Sequence, residues 1–201
     1  MSATPARLSA RDRLLDAAEA LFYEQGIAAT GVDAILRRAE VAPATLYAHF
    51  AGKDGLVAAY LERRLDRWRG TWDEALGRAG DDADARAVAV FDALAEFRPG
   101  VGPRRGCAFL AASVEVTRPE HPAHAWLVAD TRLLHERLLA LAADTGTSDP
   151  AALAAELLAL YDGVLAARAR DSLLREAPES APEPARAARD LALAAVERHR
   201  G

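Results

Sequence analysis

Residues 26–54, GIAATGVDAILRRAEVAPATLYAHFAGKD, hold two short helical patterns on either side of a tight break. Val32, Ile35, Leu36 and Ala39 recur at helical spacing in the first. The second opens Pro43-Ala44-Thr45 and closes Leu46-Tyr47-Ala48-His49-Phe50. Glu40-Val41-Ala42 is the turn between them. This is how a helix-turn-helix reads along a sequence, with one helix to brace and one to enter a DNA groove.

The flanks extend the helical pattern. Ser9 precedes an amphipathic stretch with Asp12 three residues on, a capping-box-like start. Leu14, Ala17, Ala18, Leu21 and Phe22 then repeat to Gln25, and Gly26 suits the end of that helix. Thr30 is the expected N-cap of the second helix, with Asp33 three positions later. Pro43 starts the third helix where a missing N–H costs nothing. Ala51-Gly52 stops it, and a long fourth helix follows from Lys53 or Asp54, weakened at Gly77 and Gly80. Five more helical patterns are predicted: 84–97, 106–117 (strongly apolar and expected to be buried), 123–143, 150–174 and 183–199. Loops are expected at 98–103 and 177–184, and residues 1–8 read as a loose tail. Alanine and leucine dominate the composition, which favours helix nearly everywhere. The expected fold is therefore all-α, about nine helices. Residues 1–55 are expected to form a three-helix DNA-binding domain, and residues 56–201 a larger helical domain that controls it.

Charge gives no help to DNA binding. The formal net charge is −5, and residues 1–56 are not basic either. A basic footprint is the usual sign of a nucleic-acid partner. Phosphate contacts still need only a few placed donors, including hydroxyls and helix N-termini. No catalytic motif is present: no Gly-rich phosphate loop, no Gly-x-Ser-x-Gly elbow, no His-Glu-x-x-His pair. The chain is read as no enzyme, with no cofactor and no metal. The lone Cys107 makes no intrachain disulfide. No leader pattern and no run long and charge-free enough to span a bilayer is recognised, so the expectation is a soluble, cytoplasmic protein without a membrane partner.

Eight residues from Pro43 to Phe50 make about 12 Å of helix. Leu46 and Phe50 share one face and are expected to pack inward. The other faces carry Ala44, Thr45, Tyr47, Ala48 and His49. Small residues near the start let the backbone approach base edges, and Thr45 offers a hydroxyl and a methyl. Tyr47 and His49 can donate to phosphates. Lys53, the sole lysine, opens the fourth helix, where N–H groups and an ammonium suit an anion. Thr30 and the start of the second helix could hold another phosphate. Each residue also has an ordinary structural role; together, at this spacing, they point to DNA.

On these residues the chain resembles the TetR family of transcriptional regulators. The matching features lie in 9–65: Ala17-Ala18, Leu21-Phe22, Gly26, Thr30, Val32, Ile35, Ala39, Val41, Thr45-Leu46-Tyr47, His49-Phe50, Lys53 and Leu56. The remainder matches mainly in length and helical layout, although Arg105-Gly106-Cys107 to Glu115 looks like a sixth helix found in one group of the family. The resemblance implies a homodimer that binds a palindromic operator, and a C-terminal domain that binds a small effector and releases the DNA. It also implies that Thr30, Pro43, Ala44, Thr45, Tyr47, His49 and Lys53 fall at DNA-touching positions. Two residues depart from the pattern. Glu40 stands where glycine is usual, and Ala42 where a capping serine is usual.

In the C-terminal part, Trp68, Trp72, Phe91, Leu110, Ser113, Thr117, Trp126, Asp130 and Tyr161 are the expected lining of an effector site, because a ligand cleft is apolar with a few polar groups. The same residues can also simply fill a core. Helices eight and nine, with alanine faces, are the expected dimer interface. The effector is expected to act through the tilt of the fourth helix. The alternative reading is a metal- or redox-responsive regulator using Cys107 with nearby His121 and His124.

Overall fold

The computed structural model describes residues 8–97, 106–173 and 183–200. Among the described residues all regular structure is helical: α1 (Ala10–Gln25), α2 (Val32–Ala39), α3 (Pro43–Phe50), α4 (Lys53–Ala79), α5 (Ala83–Glu96), α6 (Ala108–Glu115), α7 (His124–Asp144), α8 (Pro150–Asp171) and α9 (Pro184–Arg198). The expected loop at 98–103, most of that at 177–184 and all but the last residue of the expected tail lie outside the described residues. The chain forms two compact units. One comprises residues 8–63 and 109–127, the other 64–97, 106–108 and 128–200.

The first unit is built as the sequence pattern dictates. Ser9 caps α1: its Oγ accepts from the Asp12 N–H at 3.1 Å and donates to the Asp12 carboxylate at 2.6 Å. Leu14, Leu15, Ala18, Leu21 and Phe22 form the buried face of α1. Gly26 ends the helix at φ 89°, a conformation glycine adopts freely. Arg63 of α4 binds back to Asp16 at 2.6 Å and to the buried Glu19 at 2.5 Å. The Arg11 guanidinium lies 5.2 Å from the Phe50 ring centroid, an additional tie between α1 and α3.

Three expectations are corrected here. Thr30 is not the cap of α2. Gly31 occupies that position without any side-chain hydrogen bond. The α6 helix runs only from Ala108 to Glu115 and is not buried throughout, because Leu110 and Val114 are exposed while Ala108, Phe109 and Ala112 pack inward. Finally, α8 is long and apolar enough by length and composition alone to cross a membrane, with a mean hydropathy of 1.4 over its best stretch. Alanine and leucine keep that average high although Glu156 and Asp162 lie within the helix. Leu153, Leu157, Tyr161 and Val164 bury one face of α8 inside the second unit.

In the second unit α5 is buried almost all round, from Ala87 to Leu94. It packs with α8 and α9. The buried Arg168 of α8 donates to the Leu94 carbonyl at 2.8 Å and pairs with Glu183 at the start of α9. Arg189 of α9 pairs with Asp92 of α5 at 3.0 Å. Arg198 and His199 both reach Glu156, at 2.8 and 3.1 Å, and hold its carboxyl below the usual range, chiefly through the His199 hydrogen bond.

Candidate nucleic-acid interface

The turn before α3 is made by Glu40, which adopts a left-handed backbone at φ 54° and ψ 50°. A residue with a Cβ costs roughly 1–2 kcal/mol there. Ala42 is the N-cap of α3 and supplies no side-chain bond. Thus α3 starts without a hydroxyl cap, helped only by Pro43, whose fixed φ suits the first turn. What holds α3 is its inner face. Leu46 and Phe50 are buried, and Ala51 ends the helix in a second left-handed residue.

A contact with α4 fixes the far end. A Cβ on Gly55 would stand 1.8 Å from the Phe50 carbonyl oxygen, inside van der Waals contact by a wide margin. Only glycine lets the first turn of α4 approach α3 this closely. That close approach places Lys53, half-buried, directly after the outward face of α3.

Pro43, Ala44, Tyr47 and His49 are exposed along α3, and Thr45 is half-buried. Tyr47 is the extreme case at 64% exposure, unusual for a large ring on a packed helix. The inward pair and the outward set therefore divide α3 into an anchored face and a presented one. Thr30 does not belong to the presented set. Its side chain is 0% exposed. Its hydroxyl lies 2.7 Å from the Gly26 carbonyl and 3.3 Å from that of Leu21, both near the end of α1. The hydroxyl is spent on closing the end of α1, chiefly on the Gly26 carbonyl just past the helix. Sequence reasoning passed over Arg37, an exposed cation in the last turn of α2 beside the turn into α3. Its type was visible, but not that it has no ion pair among the described residues, whereas neighbouring Arg38 is drawn 3.5 Å from Glu24.

The residues expected to line an effector site fall in both units. In the second, Trp68 is packed by Trp72, Phe97 and Tyr161, with ring centroids 5.9, 5.4 and 5.9 Å away. Among the described residues, the buried indole N–H groups of Trp68 and Trp72 find no acceptor. Phe91 is fully buried on α5. Burial pushes the Asp130 carboxyl up to about 7; the Arg64 guanidinium opposes this, and Asp162 adds to it. Burial likewise drives the Tyr161 hydroxyl well above its ordinary range. In the first unit Leu110, Ser113 and Thr117 are exposed and Trp126 is half-buried. The Ser113 hydroxyl donates to the Leu110 carbonyl of its own helix at 2.8 Å.

The metal reading finds no support. Among the described residues no three His, Cys, Asp or Glu side chains gather closely enough to hold an ion. His121 is engaged otherwise: its Nδ1 accepts from the Ala123 N–H at 3.1 Å and its Nε2 lies 3.5 Å from Asp54.

Comparison with known proteins bears on both units. The family described as bacterial regulatory proteins, tetR family, matches residues 14–60. A TetR-family transcriptional regulator from Streptomyces coelicolor is similar in structure, with a TM-score of 0.75 and 33% identity, covering 94% of this chain and 93% of that one. The HTH-type transcriptional repressor ComR of Escherichia coli is 27% identical over 129 residues, which are 64% of this chain and 61% of ComR. The HTH-type transcriptional regulator UidR of Escherichia coli is 38% identical over 63 residues, 29% of this chain and 32% of UidR. The match thus spans less than two thirds of either of these two relatives.

Proposed function

The chain belongs to the TetR family of transcriptional regulators, and on that premise we propose that it is a repressor that grips a palindromic operator as a homodimer and lets go when a small effector binds. The repressor sense follows the resemblance to ComR, whose match extends beyond the helix-turn-helix.

The observation that carries the reading is the outward face of α3. Pro43, Ala44, Tyr47 and His49 stand in solvent on a helix whose other face is locked by Leu46 and Phe50. The small residues at the start admit the backbone to the major groove, Thr45 and Tyr47 offer hydroxyls, and Lys53 offers an ammonium. One such helix reads too few bases for useful specificity, so two must act together, with half-sites about 34 Å apart.

The partner for that pairing is a second copy, and α8 with α9 is the interface we propose. Only 28% of the most apolar stretch of α8 is buried within the chain, which leaves an apolar surface for a neighbour. A location in the cytoplasm follows from binding operator DNA.

The effector belongs to the second unit. Trp68, Trp72, Phe91 and Tyr161 supply apolar surface, the two indole N–H groups without an acceptor among the described residues call for one, and Asp130 supplies a carboxyl that changes charge near neutrality. A mostly apolar molecule carrying an acceptor oxygen or nitrogen fits this chemistry. It releases the operator only to the extent that it prefers the released conformation.

Selection from a pool of random duplexes, followed by affinity measurement at fixed salt, tests the reading. Enrichment of an inverted repeat bound by two chains is expected. Enrichment of no sequence, or binding of one chain to a non-repeated site, would overturn it.

A further inference from the structure

The α6 helix ends on the DNA reader. The Glu115 carboxylate accepts hydrogen bonds from the Ile27 N–H, at 3.1 Å, and from the Ala28 N–H. Its Oε1 also sits 3.2 Å from where a Cβ on Gly26 would be. Gly26 has already ended α1, so helical bonding offers these two N–H groups nothing. A carboxylate facing two backbone donors is a charge-assisted pair, stronger than a neutral bond. The turn it grips leads to the buried Thr30 and then into α2. A second attachment follows: His121, six residues on, accepts at Nδ1, so its proton is on Nε2, which faces Asp54 in the first turn of α4. The end of α6 and the segment after it therefore touch the reading element on both sides, before α2 and after α3.

The other end of α6 is seated just as closely. Gly106 has φ 89°, and a Cβ there would come within 3.1 Å of the Leu165 carbonyl and of the Ala169 side chain, both on α8.

We infer that Glu115 is a positioning residue for operator binding: by clamping the Ile27 and Ala28 N–H groups it fixes the turn that carries α2 and α3, so α6 sets the pose of the reader without touching DNA. The inference rests on the DNA-binding function proposed above. It reverses a simple electrostatic expectation. Removing an acidic side chain from a DNA-binding protein ordinarily strengthens binding to phosphate. Loss of the clamp weakens it.

The test uses the full chain as wild type, Glu115→Ala, Glu115→Gln and Lys53→Ala, with the duplex the wild type enriches. Hydrogen exchange of the segment around Ile27 and Ala28 reports the clamp, and affinity across a salt series reports binding. For Glu115→Ala we expect faster exchange in that turn, a loss of affinity of about tenfold at fixed salt, and an unchanged salt slope because no phosphate contact is removed. Glu115→Gln, which keeps one acceptor oxygen and the same shape, should lose less and guards against a folding defect in the alanine variant. Lys53→Ala should instead lower the salt slope by about 1. Affinity of Glu115→Ala equal to or above wild type, or unchanged exchange at the turn in both variants, overturns the inference. Failure of the wild type to enrich any duplex would overturn the DNA reading instead, and exchange would still decide whether the clamp exists.

Discussion

The two units use polar side chains in opposite ways. The first closes its helix ends with hydroxyls, pairs its buried Glu19 with Arg63, and turns its remaining donors outward. Thr30 closes the end of α1, Ser9 caps its start, and Tyr47 and His49 are left to solvent. The second draws polar groups inside. Asp130, Arg64 and Arg168 are all buried there, together with two indole N–H groups that find no acceptor among the described residues. A surface that reads a nucleic acid needs rigid backing and free donors. A site that answers to a small molecule needs unspent polarity in an apolar interior. The difference teaches which unit should resist substitution and which should respond to conditions.

The largest effect is expected from the backing of the reader. Gly55→Ala places a carbon 1.8 Å from the Phe50 carbonyl and forces α3 and α4 apart. A stability loss of about 3 kcal/mol or more is expected in chemical denaturation, with operator binding lost as well. Unchanged stability would show that the close approach is not what holds the reader.

Next comes the presented face itself. Tyr47→Ala removes an exposed ring and leaves Leu46 and Phe50 in place, so folding should be unaffected. Operator affinity should fall by about tenfold or more at fixed salt. A fall in melting temperature instead would assign Tyr47 to packing.

The interior of the second unit should respond to pH. With the Asp130 carboxyl raised to about 7, the folded chain keeps its proton while the unfolded chain has lost it. Stability from this group is therefore fullest below about pH 4 and declines as pH rises toward 7, by up to about 1.4 kcal/mol per pH unit. Asp130→Asn should flatten that decline in urea midpoints measured from pH 4.5 to 7.5. An equally steep decline in the variant would remove Asp130 from the account.

The smallest effects belong to the two places where the reader departs from its family's pattern. Glu40→Gly relieves a left-handed backbone and Ala42→Ser supplies the missing cap. Each should add about 0.5–1 kcal/mol to stability, with no gain from matching changes in the second unit.

These same residues explain how far the sequence could be read. The α3 face was legible because its signals are local: Pro43 at the first turn, Leu46 and Phe50 four apart, and aromatic and polar residues between. Glu40 and Ala42 were legible for the same reason. Thr30 was misjudged, since a threonine before a helix looks alike whether its hydroxyl caps the next helix or closes the last. The exposed half of α6 was hidden because a run apolar on every side has no preferred face. Gly55 was hidden because the tight angle between α3 and α4, not the residue itself, demands a glycine; Glu115 was invisible because it acts on a backbone 88 positions away. The effector residues were the least legible. An aromatic residue on a helix packs a core and lines a cleft with the same spacing.

The measurement that bears most directly on the central claim is photocrosslinking from the presented face of α3. A benzoylphenylalanine replacing Tyr47 is compared with the same group replacing Leu173, an exposed residue beyond the end of α8. The account predicts efficient crosslinks from position 47 to the enriched duplex, with none from position 173. Equal crosslinking from both positions, or none from position 47 in a complex that still forms, would contradict it.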